Sequence, residues 1–297
     1  MIRTLVLLLA LVAEPAPAQV TVADRDGSTT FEASPERVVT LDWALIEQVR
    51  DLGITPVGAP ELGLYAEWVA DPPLPEAVVD VGLRTEPNLE RIAALEPDVI
   101  LASDLDPAQV AQLNRIAPTL VFDAWAADHD NVAAARQNFE TLAVLFDRED
   151  YARAELAAME TRLDEIAADL AARDLPTMAT AIRLNDDATV WIYGKNSFPA
   201  RALERLGFAA EFDLPASRWG VTQKPLDVLA QVENGALLAI LPHMAGVTTM
   251  ESPLWDALPA IRANRFAEVD TVWSYGGILS LERTAEAFHD ALVTLAE

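Results

Sequence analysis

From Asn131 to Arg173 the chain carries no glycine or proline, and its apolar residues return every third or fourth position. That spacing places them on one face of a helix. It predicts one helix to about Phe146 and a second over Arg148 to Arg173, broken at "FDRED". On either side the period changes. "RVVTL" (Arg37 to Leu41) is a short β-branched run, followed by an amphipathic "ALIEQVRDLG" that Gly53 stops and by "ITPVGA", a second strand and turn. Further strands are predicted at Val99 to Ala102 and Thr119 to Phe122. After "DLPTM" come four more, at Ala179 to Leu184, Thr189 to Tyr193, Leu237 to Leu241 and Thr271 to Trp273. Strands alternating with helices on both sides of a helical stretch predict an α/β fold of two lobes with mainly parallel sheets, joined by one long helix.

An internal comparison supports two related halves. "LERIAALEPDVILA" (Leu89 to Ala102) matches "LDVLAQVENGALLA" (Leu226 to Ala239) in its apolar positions and its acidic second residue, and "EQVRDLGI" (Glu47 to Ile54) echoes "RALERLGF" (Arg201 to Phe208). The expected organisation is an N-terminal lobe over 19–147, an interlobe helix over 148–173 and a C-terminal lobe over 174–297.

Residues 1–18 read as a cleaved secretory leader, because Arg3 precedes an apolar run from Leu5 to Val12 and Ala16-Pro17-Ala18 supplies small residues for cleavage. The run is too short to span a bilayer, and no other stretch approaches that length. With no cysteine, the chain has no lipidation site, disulfide framework or thiolate metal site. An exported, unanchored and monomeric protein is expected, most simply in a bacterial periplasm. The 47 acidic and 21 basic residues give a net charge of −26, a field that repels nucleic acid and anionic lipid.

Catalytic signals are weak. His129, His243 and His289 are widely separated and form no HxxxH or HExxH pair, and neither a GxSxG, a P-loop nor a GxGxxG occurs. No catalytic residue, metal site or resident cofactor is assigned. A hydrolase using two carboxylates across an interlobe cleft is the rival reading from another class. Arg84 stands out in "VGLRTEPNLE", in a turn between Gly82 and a helix; from spacing alone it could simply pair with Glu86. Trp219 and Trp273 lie in loop-like contexts, "SRWGVT" and "VWSYGG", whereas Trp191 and Trp255 suit packing. Asn196 and Ser197, in the strand-to-helix loop "YGKNSFP", point towards a cleft.

Together "RVVTLDW", "YAEWVADPPLPEAVVDVGLRTEPNLERIAALEPD", "RIAPTLVF", "SRWGVT", "SPLWDALPAIRANRFAEV" and "VWSYGG" resemble, in order, the periplasmic ferric hydroxamate siderophore-binding proteins of ABC importers. The resemblance covers nearly the whole mature chain. It implies a ligand cleft between the lobes, a ferric siderophore as ligand, and a dimeric inner-membrane permease as partner. Cobalamin and haem are the alternatives on the same scaffold. It also implies that Arg84 hydrogen-bonds the hydroxamate oxygens around the iron, a role suited to a planar fork of charged donors. Trp68, Trp219, Trp273 and Tyr275 match cleft aromatics, and Trp43 is assigned to the cleft floor. Such walls bury an apolar ligand periphery at low entropy cost.

Where the best-matching members place a cleft tyrosine, an ungapped reading puts Asp106. Either this carboxylate faces a different ligand, or it caps the helix that "DPAQ" begins. Glu90 and Asp227, at the same offset in the two lobes, resemble the acidic pair that docks such proteins onto permease arginines; first-turn stabilisation of a helix explains them equally well. With Asp104 and Asp106 near the rim, the field is expected to favour neutral or cationic chelates.

Overall fold

The computed structural model describes residues 19–244 and 248–296; the leader read at residues 1–18 lies outside them. The first lobe is built from β1 (Val20–Asp24), β2 (Gly27–Phe31), β3 (Val38–Thr40), α1 (Trp43–Asp51), β4 (Gly58–Ala59), α2 (Leu62–Trp68), β5 (Val79–Asp80), α3 (Leu89–Ala94), β6 (Val99–Ser103), α4 (Pro107–Leu113) and β7 (Thr119–Phe122). Helices α5 (Asn131–Leu145) and α6 (Glu149–Ala171) follow. The second lobe holds β8 (Ala179–Leu184), β9 (Thr189–Tyr193), α7 (Phe198–Arg205), β10 (Val221–Pro225), a 3-10 helix (Leu226–Gln231) and β11 (Ala236–Ile240). It ends with α8 (Pro253–Asp256), α9 (Pro259–Arg262), β12 (Phe266–Val269) and α10 (Ser280–Val293). The fold is α/β, with α6 linking the two lobes.

The first lobe's sheet runs β5-β4-β3-β6-β7, all parallel, and the second runs β10-β9-β8-β11-β12, in which β9 is antiparallel to both neighbours. The repeated units α3-β6 and 3-10 helix-β11 thus end on the same, fourth strand of each sheet. Both faces of the first sheet are covered, which is why its strands read as continuous apolar runs. Val38, Val99, Leu101, Leu120 and Phe122 enter one core; Val39, Ile100 and Val121, on the opposite face, enter another. The first of these cores does not stop at the lobe boundary. It continues through Phe139 and Leu142 of α5 and Met159, Leu163 and Ile166 of α6 to Ala181, Leu238 and Ile240 of the second sheet and Phe288 of α10.

Three departures from the pattern have local causes. The strand expected in "ITPVGA" is only Gly58–Ala59, because Pro56 has no N–H to give a ladder. The last strand is Phe266–Val269, not Thr271–Trp273; beyond Val269 the chain leaves the sheet's C-terminal edge and becomes a loop over the lobe boundary. The β1–β2 hairpin was not predicted: Asp24 Oδ1 accepts from the N–H groups of Asp26 and Gly27 and closes its turn. Among the described residues no helix is long and apolar enough to cross a membrane.

Candidate functional site

Arg84 sits beyond β5 in a bend that Gly82, at φ +97°, allows the chain to enter. Its Nε donates to Glu61 Oε2 at 2.6 Å, and its backbone N–H reaches Glu61 Oε1 at 3.4 Å. The carboxylate it meets is therefore Glu61, 23 residues earlier, and not Glu86. The guanidinium carbon lies 3.6 Å from the centre of the Trp43 ring. Trp43 is itself fixed, buried to 3 % exposure. Asp42 caps α1 by accepting from the Leu45 N–H and also accepts from Ser103 Oγ. No described residue accepts a hydrogen bond from the two Nη groups of Arg84, so the open end of the fork is available to a ligand.

Around this arginine the aromatics form a continuous edge-to-face chain across the lobe boundary. Tyr65 meets Trp43 at 6.2 Å between ring centres, Trp43 meets Trp273 at 5.0 Å, and Trp273 meets Tyr275 at 5.2 Å. Tyr275 then contacts Trp125 at 5.7 Å and Trp219 at 5.8 Å. Each such pair adds roughly 0.5 to 1.5 kcal/mol beyond area burial, so the wall is preorganised. Burial pushes the Tyr275 phenol up, which keeps it protonated and able to donate. Trp219, 42 % exposed, is the most open ring. It is carried by a turn that needs Gly220: φ there is +65°, and a Cβ would fall 2.5 Å from the Ser197 nitrogen.

Polar ties close the two lobes on each other. Arg218 pairs with Asp104 across the boundary and lies 4.9 Å over the Trp219 ring. Asn131 Nδ2 donates to the backbone oxygens of Asn196 and Arg218, and Asn196 Nδ2 donates to Ala126 O. On the far side of the wall, the buried Glu47 of α1 accepts from the Gly277 N–H at 2.6 Å and from Ser280 Oγ at 2.9 Å. Gly276 permits this approach, since a Cβ there would lie 2.1 Å from Glu47 Oε2. Arg283 of α10 binds both carboxylate oxygens of Asp51 and donates to Asp71 at 2.7 Å.

A family model described as periplasmic binding protein matches residues 38–272. The chain belongs to the periplasmic binding protein family. Among curated relatives it is similar to the iron(3+)-hydroxamate-binding protein FhuD of Escherichia coli, at 31% identity over 261 residues and 87% of each chain. Similarity to the Fe(3+)-citrate-binding protein YfmC of Bacillus subtilis is 26%, over 89% of this chain and 83% of the relative. Among solved structures, the Fe3+-Desferal-bound siderophore-binding protein FhuD of Vibrio cholerae superposes with a TM-score of 0.85 at 42% identity, covering 88% of this chain and 99% of that one.

In this periplasmic binding protein the structure gathers Arg84, Trp43, Trp273, Tyr275 and Trp219 into one wall, with Trp68 at its edge, where the Arg183 guanidinium lies 5.2 Å from the ring. Three other predicted contacts have their polar groups engaged elsewhere. Asp106 caps α4: its Oδ1 accepts from the N–H groups of Ala108 and Gln109, and Gln109 returns a bond to the Asp106 N–H. Ser197 is 1 % exposed and caps α7, and the Asn196 side chain is spent on the interlobe ties. Glu90 and Asp227 are exposed second residues of their helices, as the repeat implied.

Sequence reasoning missed Trp125, Glu61 and Arg183. Trp125 had a signal, since it follows the C-terminal end of a parallel strand, where α/β sheets place ligands. A separate cavity of about 450 Å³ lies on the flank of the second lobe, lined by Thr180, Ile192, Leu203, Phe208 and Phe212. Its cations are already matched, Lys195 by Asp213 and Arg201 by Asp130 and Glu204, so it offers a chelate no spare donors.

Proposed function

We propose that this periplasmic binding protein captures an Fe(III)-siderophore of the hydroxamate class in the cleft between its lobes and delivers it, without turnover, to a dimeric ABC permease. It acts as an exported monomer after removal of the leader at residues 1–18, with residues 19–147 and 174–297 as lobes and 148–173 as the connecting helix. The observation that carries this reading is the free fork of Arg84, held against Trp43 in the middle of an aromatic wall. A tris-hydroxamate presents partly negative oxygens around the metal and an apolar periphery, and this surface offers charged donors and rings in the same order. Two of the three related proteins named above bear names for iron(3+)-hydroxamate and Fe3+-Desferal binding, and the third for Fe(3+)-citrate binding. Iron here is cargo, held by the siderophore and not by protein ligands. Titrating the protein with ferric hydroxamates, ferric catecholates, haem and cobalamin, followed by tryptophan quenching, tests the assignment. Saturable quenching by hydroxamates with no product formed is the expected result; tighter binding of haem or cobalamin overturns it.

Arg84→Ala is expected to weaken binding of the ferric hydroxamate by about 1.5 to 3 kcal/mol, the scale of a charge-assisted hydrogen bond. An unchanged dissociation constant in a variant that still unfolds cooperatively removes Arg84 from the site.

Glu90 and Asp227 supply the delivery surface in this reading, one exposed acid at the same position of each lobe. Reversing both to Lys is expected to leave ligand affinity intact and abolish uptake in reconstituted transporter vesicles through mismatch with permease arginines. Normal transport by the double variant sinks the docking role.

A further inference from the structure

Arg183 occupies the fifth position of β8, a strand buried along its whole length, and is 1 % exposed. Its Nε donates to Ile240 O at 3.3 Å, and its Nη2 to Leu241 O at 3.2 Å and Val272 O at 3.4 Å. These carbonyls satisfy donors without cancelling charge. Among the described residues Arg183 makes no ion pair, whereas the other arginines at the lobe boundary each have one: Arg84 with Glu61, Arg218 with Asp104, and Arg283 with Asp51. A guanidinium cannot shed its proton to relieve burial, so a permanent unit charge is held here.

The position of that charge matters. Val272 is the residue before Trp273, so the guanidinium lies under the root of the loop that carries Trp273 and Tyr275. Its central carbon is 5.2 Å from the Trp68 ring, contributed by the other lobe, and its field acts on the Tyr275 phenol. His243, close enough to feel Arg183, is held towards the neutral form by burial, and its acidic neighbour Glu268 is half exposed at 3.4 Å from it. On the opposite side of the cleft, burial pushes the Asp42 carboxyl towards its neutral form as well. A ligand atom on the far face of Trp68 would lie roughly 9 Å from the charge, adding one van der Waals layer of about 3.5 Å to the ring distance.

We propose that Arg183 is a specificity-determining residue that makes the cleft favour chelates carrying a negative charge over cationic chelates of the same shape, acting by its field and not by contact. This rests on the cleft being the siderophore site. It reverses the expectation drawn from Asp104 and Asp106, because the first is paired with Arg218 and the second is spent on capping α4. Apart from buried acids such as Glu47 and Asp51, the excess acidic charge lies on solvated residues and is screened beyond about 8 Å at physiological salt, whereas a buried charge acts through protein.

The test uses three iron(III) complexes built on desferrioxamine B: the unmodified form with its terminal ammonium, the neutral N-acetyl form, and the anionic N-succinyl form. Tryptophan quenching is expected to rank succinyl tightest and ammonium weakest, with up to about 20-fold for each unit of charge at roughly 9 Å and an effective dielectric near 20, less where the terminus reaches solvent. Arg183→Met should bring that ratio close to one, and Arg183→Lys should restore it. An equal loss for all three complexes in Arg183→Met would mean a structural role only and overturns the proposal. Should Arg183→Met fail to fold, the wild-type ranking still decides: ammonium tightest refutes the proposal. If none of the three binds, the hydroxamate reading falls and this proposal with it; binding without charge ranking removes Arg183 alone.

Discussion

Replacing Arg283 with Met is expected to destabilise the protein by about 3 to 5 kcal/mol, the range for removing one partner of a buried ion pair. Its partner Asp51 has a side chain only 3 % exposed, and both of its oxygens are bound by Arg283. Without the guanidinium, that carboxylate is left in the interface between α1 and α10, one helical turn from the buried Glu47. Removal of the charge on both sides, in Asp51→Asn with Arg283→Met, should recover much of the loss, because nothing charged is then left unpaired. Urea unfolding of the two variants measures this directly. A loss below about 1 kcal/mol in the single variant would place the pair with ordinary surface salt bridges.

The second large effect is a dependence of stability on pH that runs opposite to the usual behaviour of carboxylates. Burial pushes Glu47 up to about 8 from an ordinary value of 4.5, against the pull of Arg283. Between those two values the folded protein holds a proton that the unfolded chain has released. Stability from this group is therefore complete below pH 4.5 and lost as pH rises through 8, by about 5 kcal/mol at most for a shift of this size. Asp42 and Asp51 are raised by burial in the same sense, while His243, lowered by burial, works in the opposite one near its ordinary value. Glu47→Gln isolates the contribution, since its amide oxygen can accept the bonds from Gly277 and Ser280 without ionising. The variant is expected to show a much flatter fall in unfolding free energy from pH 5 to pH 8. An unchanged slope would show that Glu47 is already ionised at neutral pH.

Much of the framework was readable because burial on both faces imposes a simple text. Strands β7, β8 and β9 have the limits that their apolar runs gave, and α5 and α6 follow the periodicity on either side of "FDRED". The Thr271–Trp273 run misled because Val272 and Trp273 are apolar for another reason: one packs into the core and the other faces the cleft. In the site, what was legible was what sits in a recurring motif, such as Arg84 and the loop aromatics. What was not legible depends on partners far apart in the chain. Nothing near Glu61 signals that it will meet Arg84, and an arginine within a strand ordinarily reads as a solvent-facing residue, not as a buried charge beneath a cleft. Asp106 shows the converse: the helix start in "DPAQ" carried the physical reason for its capping bonds in the sequence itself.

The interior that passes without interruption from Leu101 through Met159 to Ile240 makes the two lobes mechanically one on that side. The internal sequence repeat has a counterpart in strand order, since the unit ending in β6 and the unit ending in β11 hold the same rank in their sheets. Each lobe keeps a core of its own on one face of its sheet, whereas on the other face the two share one interior. The two lobes are coupled through that shared interior: a substitution that opens a cavity in it removes packing from both sheets at once.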